Sequence, residues 1–325
     1  MVRGFFFDGI DADDTPMRLR TVILVFLLAL GLSAAVQFAT NGRTDPDTET
    51  TSTPDTPTYS RIVSMAPSIT EDLFALGLGD RVVGVTRYCI YPQEALDKAQ
   101  VGGFMDANFE AIVATRPDLV VILTAHEEVR TTLAALNIET LTVDHRTVEG
   151  ILGALTTIGD ACGVPDTAED VTRALRDRVE QIREKTEGLP RPTVLICAGR
   201  DMSLGRIQEV YAAGRHEWYD EIIIAAGGEN AYPDDGNRFP VLTGEGLLRL
   251  QPEVIVEMVS HLEERGYARA DIVAQWDRFP DIPAVRNGRV HVLAGNHVTI
   301  PGPRFVRVLE DLARVLHPEI DWDTP

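Results

Sequence analysis

The sequence predicts an α/β protein of two similar lobes, each with a mainly parallel sheet, joined by one long helix. Residues 108–121 match residues 243–256 without a gap, which indicates two related lobes in one polypeptide. Strand and helix patterns alternate along both halves of the chain, as they do in parallel α/β sheets. Residues 166–188 carry apolar positions at helical spacing and predict one uninterrupted helix between the lobes. A single rigid helix of this kind permits only limited closure of the lobes.

The two repeat copies predict the same local structure. Each copy opens with an N-cap residue, Asn108 or Thr243. Each places a glutamate, Glu110 or Glu245, in the first helical turn, where the helix dipole favours an anion. A proline then ends the helix, because the residue before a proline is driven out of the α region. An apolar run follows in each copy and predicts a buried strand.

Turn residues, prolines and apolar runs place the domain boundaries. The first lobe is predicted at residues 60–165, the linking helix at 166–188 and the second lobe at 189–320. Predicted strands span residues 61–65, 82–85, 119–123, 140–143, 193–197, 254–258 and 290–293. Predicted helices, besides those of the repeat and the link, span residues 70–76, 127–136, 147–162, 218–226, 268–279 and 304–316.

The N-terminus predicts attachment to a membrane. Residues 1–20 are interpreted as a cytoplasmic segment, and residues 21–39 as a transmembrane anchor that is apolar and uncharged. Its length fits a hydrocarbon core of roughly 30 Å. Arginines before the anchor place the N-terminus in the cytoplasm, and residues 40–59 are too poor in apolar side chains to form a core, which predicts a disordered tether. The lobes are therefore expected outside the cytoplasmic membrane. A cleaved signal peptide is the alternative for residues 21–39.

Composition and motifs exclude several classes of function. The formal net charge of −20 argues against a nucleic-acid partner. The cysteines Cys89, Cys162 and Cys197 show no clustered spacing, so no zinc site is predicted and their pairing stays open. No Ser-His-Asp order, phosphate-binding glycine loop or paired-carboxylate motif is recognisable. We therefore expect a binding protein and not an enzyme, without catalytic residues, a cofactor or a metal site.

Several segments resemble one family. Residues 61–71 (RIVSMAPSITE) and 77–85 (GLGDRVVGV) are similar to the opening of the iron-chelate and vitamin B12 class of ABC-transporter binding proteins. Residues 210–214 and 226–230 are similar to its second-lobe signature, and the resemblance covers residues 59–318. The resemblance implies the class III periplasmic-binding-protein fold. It also implies an extracytoplasmic receptor that captures a metal chelate or corrinoid and delivers it to a permease driven by a cytoplasmic ATPase.

The same resemblance gives Glu110 and Glu245 a role. Members of the family use one glutamate on each lobe to meet arginines of the permease, and these two residues stand at the matching places. The alternative is that each glutamate only stabilises its own helix through the dipole, by less than about 1 kcal/mol.

A cleft is predicted where loops leave the carboxyl ends of the strands. Aromatic side chains able to cover a flat or apolar ligand occur in these loops, namely Tyr88, Tyr91, Phe104, Trp218 and Phe239. Arginines, suited to carboxylates and catecholates, occur there too, namely Arg87, Arg200, Arg206, Arg215 and Arg238. The arginines favour an anionic iron chelate such as a siderophore. Surface arginines paired with neighbouring acids, such as Arg200 with Asp201, are the alternative.

His297 completes the predicted ligand-binding set. The resemblance implies a bulky cleft residue at this position, and a half-buried loop histidine is the alternative. Cobalamin is allowed by the resemblance as well as an iron chelate. Two other functions stay open on the same scaffold, a tethered sensor and a direct transition-metal receptor.

Overall fold

The computed structural model describes residues 59–234 and 236–322, and it contains the two predicted α/β lobes. The predicted cytoplasmic segment, membrane anchor and nearly all of the tether lie outside the described residues and stay predictions. Tyr59, the last residue of the predicted tether, is described and packs against the core of the first lobe.

The first lobe has a fully parallel sheet with the strand order β3-β2-β1-β4-β5. Its strands are β1 (Ile62–Ser64), β2 (Val82–Val85), β3 (Ala99–Gln100), β4 (Leu119–Leu123) and β5 (Thr140–Val143). Its helices are α1 (Pro67–Ala75), α2 (Phe109–Ala114), α3 (Glu127–Ala135) and α4 (Val148–Cys162). Separate apolar clusters bury the two faces of the sheet, one with α1 and α4 and the other with α2 and α3.

Helix α5 (Pro165–Thr186) links the lobes, as predicted. Pro165 begins the helix, where its missing N–H costs nothing. Asp166 in the first turn and Arg183 and Lys185 in the last turn complement the helix dipole. The helix packs against α4 of the first lobe and against two helices of the second lobe that follow it in the chain, so it contacts both lobes.

The second lobe has a mixed sheet with the order β11-β10-β6-β7-β9, and β8 pairs with β6. Its strands are β6 (Thr193–Gly199), β7 (Glu209–Ala212), β8 (Glu229–Asn230), β9 (Val241–Thr243), β10 (Val254–Val259) and β11 (Val290–Ala294). Its helices are α6 (Trp218–Ala225), α7 (Gly244–Leu250), α8 (Arg269–Ala274), α9 (Pro283–Arg286) and α10 (Phe305–Leu316). The predicted helix at residues 268–279 is in fact α8 followed by a 3₁₀ turn, Gln275–Arg278.

Strands β7 and β9 are antiparallel and were not predicted. The sequence predicts no element for residues 203–213, because a strand as short as β7 gives only a weak alternating pattern. The fold class is otherwise confirmed: both lobes are α/β, and the parallel pairs β6–β10 and β10–β11 form the centre of the second sheet.

The lobes share one apolar cluster. Ile151 and Leu152 of α4 are buried together with Trp218 of α6 and other side chains of the second lobe. A hydrogen bond also joins the lobes here. The backbone N–H of Val148, at the start of α4, donates to the carboxylate of Glu221 in α6 at 2.5 Å. This side of the molecule therefore holds the lobes together along α4 and α6.

Candidate ligand-binding cleft

Most of the predicted ligand loops lie at the carboxyl ends of parallel strands and therefore at one edge of each sheet. They follow β1, β2, β3 and β4 in the first lobe and β6, β10 and β11 in the second. The loops at residues 214–218 and 237–240 instead adjoin the antiparallel strands β7 and β9. Helices α2 and α7 each precede a parallel strand and run opposite to it, so their N-termini lie at the same edges. The candidate cleft is formed by these edges.

The first-lobe wall combines an ion pair with aromatic rings. Arg87 forms a salt bridge with Asp106, and its guanidinium lies 5.3 Å from the centre of the Tyr88 ring. Phe104 meets the ring of His126 edge-on, with centroids 4.7 Å apart. This wall therefore presents apolar rings beside a guanidinium that already has a carboxylate partner.

His126 is buried and packs against Phe104 of this wall. Its Nδ1 accepts the N–H of Leu123 at 3.2 Å, so the proton of the neutral ring is assigned to Nε2. Burial lowers the pKa of His126 to about 4, with a backbone hydrogen bond at Phe104 opposing the shift. The ring is therefore neutral near pH 7 and serves as an apolar support for Phe104.

Two ion pairs stand where the lobes meet. Arg238 of the second lobe binds Glu217 through both of its donor nitrogens on one side, with Nη2 2.6 Å from Oε2. Arg146 of the first lobe chelates Asp144, at 2.8 Å from Nε and 2.6 Å from Nη2. Hydrogen bonds from Arg146 lower the pKa of Asp144 against the effect of burial, and the field of Arg238 adds to this. The four charges compensate one another within the protein.

Arg200 lies in the interior of the second lobe. Its side chain is almost fully buried, and Nε lies 2.7 Å from Oε1 of Glu257, which also accepts the indole N–H of Trp276. Gln275 accepts a further hydrogen bond from Arg200 at 2.8 Å. The expected neighbour Asp201 is exposed and accepts from Ser203 instead. Arg200 therefore has its partners in the interior of the second lobe and is not among the proposed ligand contacts.

Trp218 is likewise buried. Its indole stacks on the Tyr219 ring with centroids 3.9 Å apart, and its backbone N–H donates to the carbonyl of Arg146 at 2.7 Å. It packs in the apolar cluster that α4 shares with the second lobe. The local sequence does not show that Trp218 packs in one cluster with α4 of the other lobe, so its burial could not be predicted.

The remaining predicted ligand residues are partly accessible. Phe239 is half-buried against the shared cluster, and Arg215 is half-buried in the loop before α6. His297 lies in the 3₁₀ turn Asn296–Thr299 after β11, with Nε2 enclosed. Burial and the charge of Arg304 lower the pKa of His297, which favours the neutral ring.

The structure also assembles polar residues that the sequence analysis missed. His145 Nδ1 lies 2.7 Å from the Ser68 hydroxyl, and its Nε2 lies 2.8 Å from Asp72. Ser68 and Asp72 lie on α1, and all three side chains are buried, so no substrate reaches the serine. Polar side chains on a helix with an otherwise buried face are the signal that would have indicated this network. It braces α1 against the loop after β5.

Glu110 and Glu245 are both exposed in the first turns of α2 and α7. Glu245 pairs with Arg249 one turn later at 2.9 Å. Both therefore lie at the cleft-side ends of their helices, one on each lobe, and neither belongs to a lobe core.

No group of three His, Cys, Asp or Glu side chains is placed to hold a metal ion among residues 59–234 and 236–322. Cys89, Cys162 and Cys197 are buried free thiols. Burial raises the pKa of Cys162 to about 11, with Arg81 opposing the shift. Such a thiol stays protonated near neutral pH.

Two α/β lobes joined by one helix, with aromatic and charged loops along their facing edges, define a two-lobed substrate-binding protein. The chain belongs to the periplasmic binding protein family, whose model matches residues 62–296. In the part of the chain that is described, no helix combines the length and the apolarity needed to cross a membrane.

Known relatives agree with this class. YvrC of Bacillus subtilis, named an uncharacterized ABC transporter substrate-binding lipoprotein, is 29% identical over 80% of this chain and 80% of its own. A vitamin B12-binding protein of Vibrio campbellii is 25% identical over 78% of this chain and 87% of its own. The solved periplasmic heme-binding protein RhuT of Roseiflexus sp. RS-1 is 27% identical, covers 80% of this chain and 98% of its own, and gives a TM-score of 0.67. All three relatives are named as proteins that bind a substrate or ligand.

Proposed function

We propose that this protein is the extracytoplasmic receptor of an ABC importer and that it captures cobalamin or a closely related corrinoid between its lobes. One observation carries the choice of ligand. Two of the arginines predicted to bind an anionic ligand already form salt bridges within the protein, Arg87 with Asp106 and Arg238 with Glu217.

The pairing matters because an anionic ligand needs uncompensated positive charge. A ferric siderophore or ferric citrate brings negative charge into a partly dry site, where each buried anion is costly without a cation of its own. Arginines already bound to carboxylates supply little of that charge. An anionic iron chelate, which the arginines favoured at the level of sequence, is therefore not the proposed ligand.

A corrinoid fits the same side chains better. Its flat macrocycle presents apolar area that aromatic rings such as Tyr88, Phe104 and Phe239 cover. Its rim carries amide groups, which both donate and accept hydrogen bonds. Guanidinium–carboxylate pairs offer donors and acceptors side by side, so Arg87, Arg238 and their partners suit these amides.

The relative named a vitamin B12-binding protein supports the same ligand. Haem is the second candidate, because the solved relative RhuT is named a heme-binding protein at 27% identity. Its two propionates need cations, which distinguishes it from cobalamin in a salt titration.

Equilibrium dialysis of the receptor tests the proposal with cyanocobalamin, haem, ferric citrate and a ferric hydroxamate at low and high salt. We expect cyanocobalamin to bind with an affinity that changes little with salt. Replacing the ring by Phe104→Ala should weaken it by roughly 10-fold, whereas Leu136→Ala, a half-exposed side chain ending α3, should leave it unchanged. Tight, salt-sensitive binding of a ferric chelate without cobalamin binding would reject the corrinoid.

Delivery is proposed to use Glu110 and Glu245 as contacts to the permease. Their exposure and their position at the cleft-side ends of α2 and α7 would let one partner touch both lobes while it covers the cleft. A tethered sensor on this scaffold would bind the ligand equally well but would not support uptake, so transport of labelled cobalamin in cells separates the two functions.

Residues 21–39 are proposed to hold the receptor on the outer face of the cytoplasmic membrane through an uncleaved anchor. Intact-mass analysis of protein extracted from membranes should show the full N-terminus. A mature N-terminus within residues 40–59 would identify a cleaved signal peptide instead.

A further inference from the structure

A buried ion pair outside the proposed ligand contacts joins the two lobes. Arg304, at the start of α10 in the second lobe, donates to the carboxylate of Glu71 in α1 of the first lobe, with N···O distances of 2.9 and 2.5 Å. The side chains are only 10% and 3% exposed. A two-point contact of this kind fixes direction as well as distance. It therefore sets how one lobe is oriented on the other.

Arg304 is held from both lobes at once. Within its own lobe, Nη1 donates to Oδ1 of Asn296 at 2.8 Å. From the first lobe, the ring of Tyr91 covers the guanidinium at 3.7 Å from its centroid. Hydrogen bonds to Glu71 and Asn296 use the edge of the planar group while Tyr91 uses its face, so the guanidinium has little freedom to turn.

The loop before Arg304 approaches α1 closely at a glycine. Gly302 is buried, and a Cβ added there would stand 3.1 Å from Oε2 of Glu71 and 3.4 Å from Cα of Ser68. A glycine thus lets this second-lobe loop approach α1. On the other side α1 is braced by His145 against Ser68 and Asp72. The ion pair therefore connects two supported segments.

Each member of the Arg304–Glu71 pair compensates the buried charge of the other. Burial raises the pKa of Glu71, and the hydrogen bonds and charge of Arg304 oppose that shift. Removal of either partner leaves a buried charge uncompensated. The contact joins segments that follow β1 and β11, whose carboxyl ends lie at the cleft, and it lies beside the contact of α4 with α6, because α1 packs against α4 and α10 packs against α6.

We propose that Arg304 and Glu71 form an inter-lobe clamp that sets the width of the cleft and slows release of the ligand. They act as positioning residues. The clamp rests on contacts within the protein, and only its effect on cobalamin release depends on the proposed function. Its test therefore begins without ligand.

Inter-lobe distances measured by double electron–electron resonance provide that test. Spin labels are placed at Thr131→Cys on α3 and Ala270→Cys on α8, both exposed, while the native cysteines are buried. Glu71→Gln, Arg304→Gln and the double variant should each broaden or shift the distance distribution. Arg307→Gln, an exposed neighbour on α10, should not. Circular dichroism confirms that each variant is folded, and Arg304→Lys keeps the charge if Arg304→Gln is unstable.

Release of cyanocobalamin is the second readout. We expect the dissociation rate constant to rise roughly 10-fold in Glu71→Gln or Arg304→Gln. The double variant should be no worse than the more severe single variant, because both changes break one contact. Distances and release rates like those of Arg307→Gln would overturn the clamp. If cobalamin does not bind but the distances change, the clamp stands and the proposed ligand falls.

Discussion

The two copies of the repeat build the same backbone from different side chains. Ile112 of α2 and Leu247 of α7 occupy equivalent positions, and both are fully buried. Four residues later, Arg116 and Gln251 both adopt a φ of 48° to turn the chain towards its strand. A left-handed backbone at a residue other than glycine is uncommon. Its presence in both copies shows that the turn geometry, and not the residue type, is what each lobe requires.

The acid that follows the proline of each repeat copy, Asp118 or Glu253, accepts backbone hydrogen bonds from the start of its sheet. Asp118 accepts the N–H groups of Ser60 and Arg61, at 2.8 and 2.9 Å, just before the first strand of its lobe. Glu253 accepts the N–H of Thr193 at 2.8 Å, at the start of the first strand of the other lobe. Each acid therefore satisfies backbone donors where its sheet begins.

The helix N-termini differ. Asn108 caps α2 by accepting the N–H of Ala111, whereas Thr243 makes no side-chain cap to α7. Glu245 pairs with Arg249, while no ion pair of Glu110 is found among the described residues. The buried and backbone features of the repeat are thus matched, and the local partners of the two glutamates are not. Both glutamates share the favourable interaction of a first-turn acid with the helix dipole, so only the uptake experiment below separates that role from docking.

Truncation of the buried pair should have the largest effect on stability. Ile112→Ala and Leu247→Ala each leave a cavity in a fully packed cluster, so each should lower the unfolding free energy by about 2–5 kcal/mol. Urea unfolding measures the loss. The adjacent half-exposed residues are matched controls, and Val113→Ala and Leu248→Ala should cost less than about 1 kcal/mol. A core variant no worse than its control would break the structural equivalence of the copies.

The comparison extends to histidines after each strand. His126 follows β4 and is buried with its pKa lowered by burial to about 4, whereas His261 follows β10, is partly exposed and lies 4.0 Å from Glu264. Since the unfolded chain takes up the proton near pH 6.5 and the folded chain near 4, His126 costs stability as pH falls through this window. The loss is at most about 3 kcal/mol.

We would measure the unfolding free energy of the wild type and of variants at a series of pH values from 7 to 4. The difference between the curves separates the effect of His126 from that of the titrating carboxylates. His126→Asn keeps an acceptor for the Leu123 N–H and should flatten the decline relative to the wild type. If His126→Asn follows the wild-type curve, His126 does not remain neutral in the folded protein.

The sequence could predict the lobes because their signals are local. The repeat, the uninterrupted helix α5 and the strands of the parallel core follow from caps, prolines and apolar runs. The partners of the arginines are not local. Arg200 was compared with its neighbour Asp201 but binds Glu257 on another strand, and Trp218 is covered by a helix of the other lobe. Contacts of this kind depend on which segments pack together, which periodicity does not encode.

The acids that begin the sheets should give a smaller effect. Asp118→Ala removes three hydrogen bonds, two from backbone N–H groups and one from the Ser60 hydroxyl, and should cost about 1–2 kcal/mol because the site is exposed. Glu253→Ala should cost about 1 kcal/mol. Glu94→Ala, an exposed acid outside these contacts, is the control. Thermal or urea unfolding tests the order, and Glu253→Ala exceeding Asp118→Ala would contradict it.

The smallest effect on folding is expected at the glutamates of α2 and α7, which makes them the sharpest test of function. Glu110→Gln and Glu245→Gln should change the unfolding free energy by less than about 0.5 kcal/mol, since both side chains are exposed. Reversal to arginine should leave ligand affinity unchanged and impair uptake, because like charges would then face the proposed permease arginines. The double reversal should be worse than either single change. Glu128→Arg is a matched control, an exposed acid in the first turn of α3, and should transport normally. Normal uptake of labelled cobalamin by the double variant would leave both glutamates as helix-dipole partners and remove the docking role.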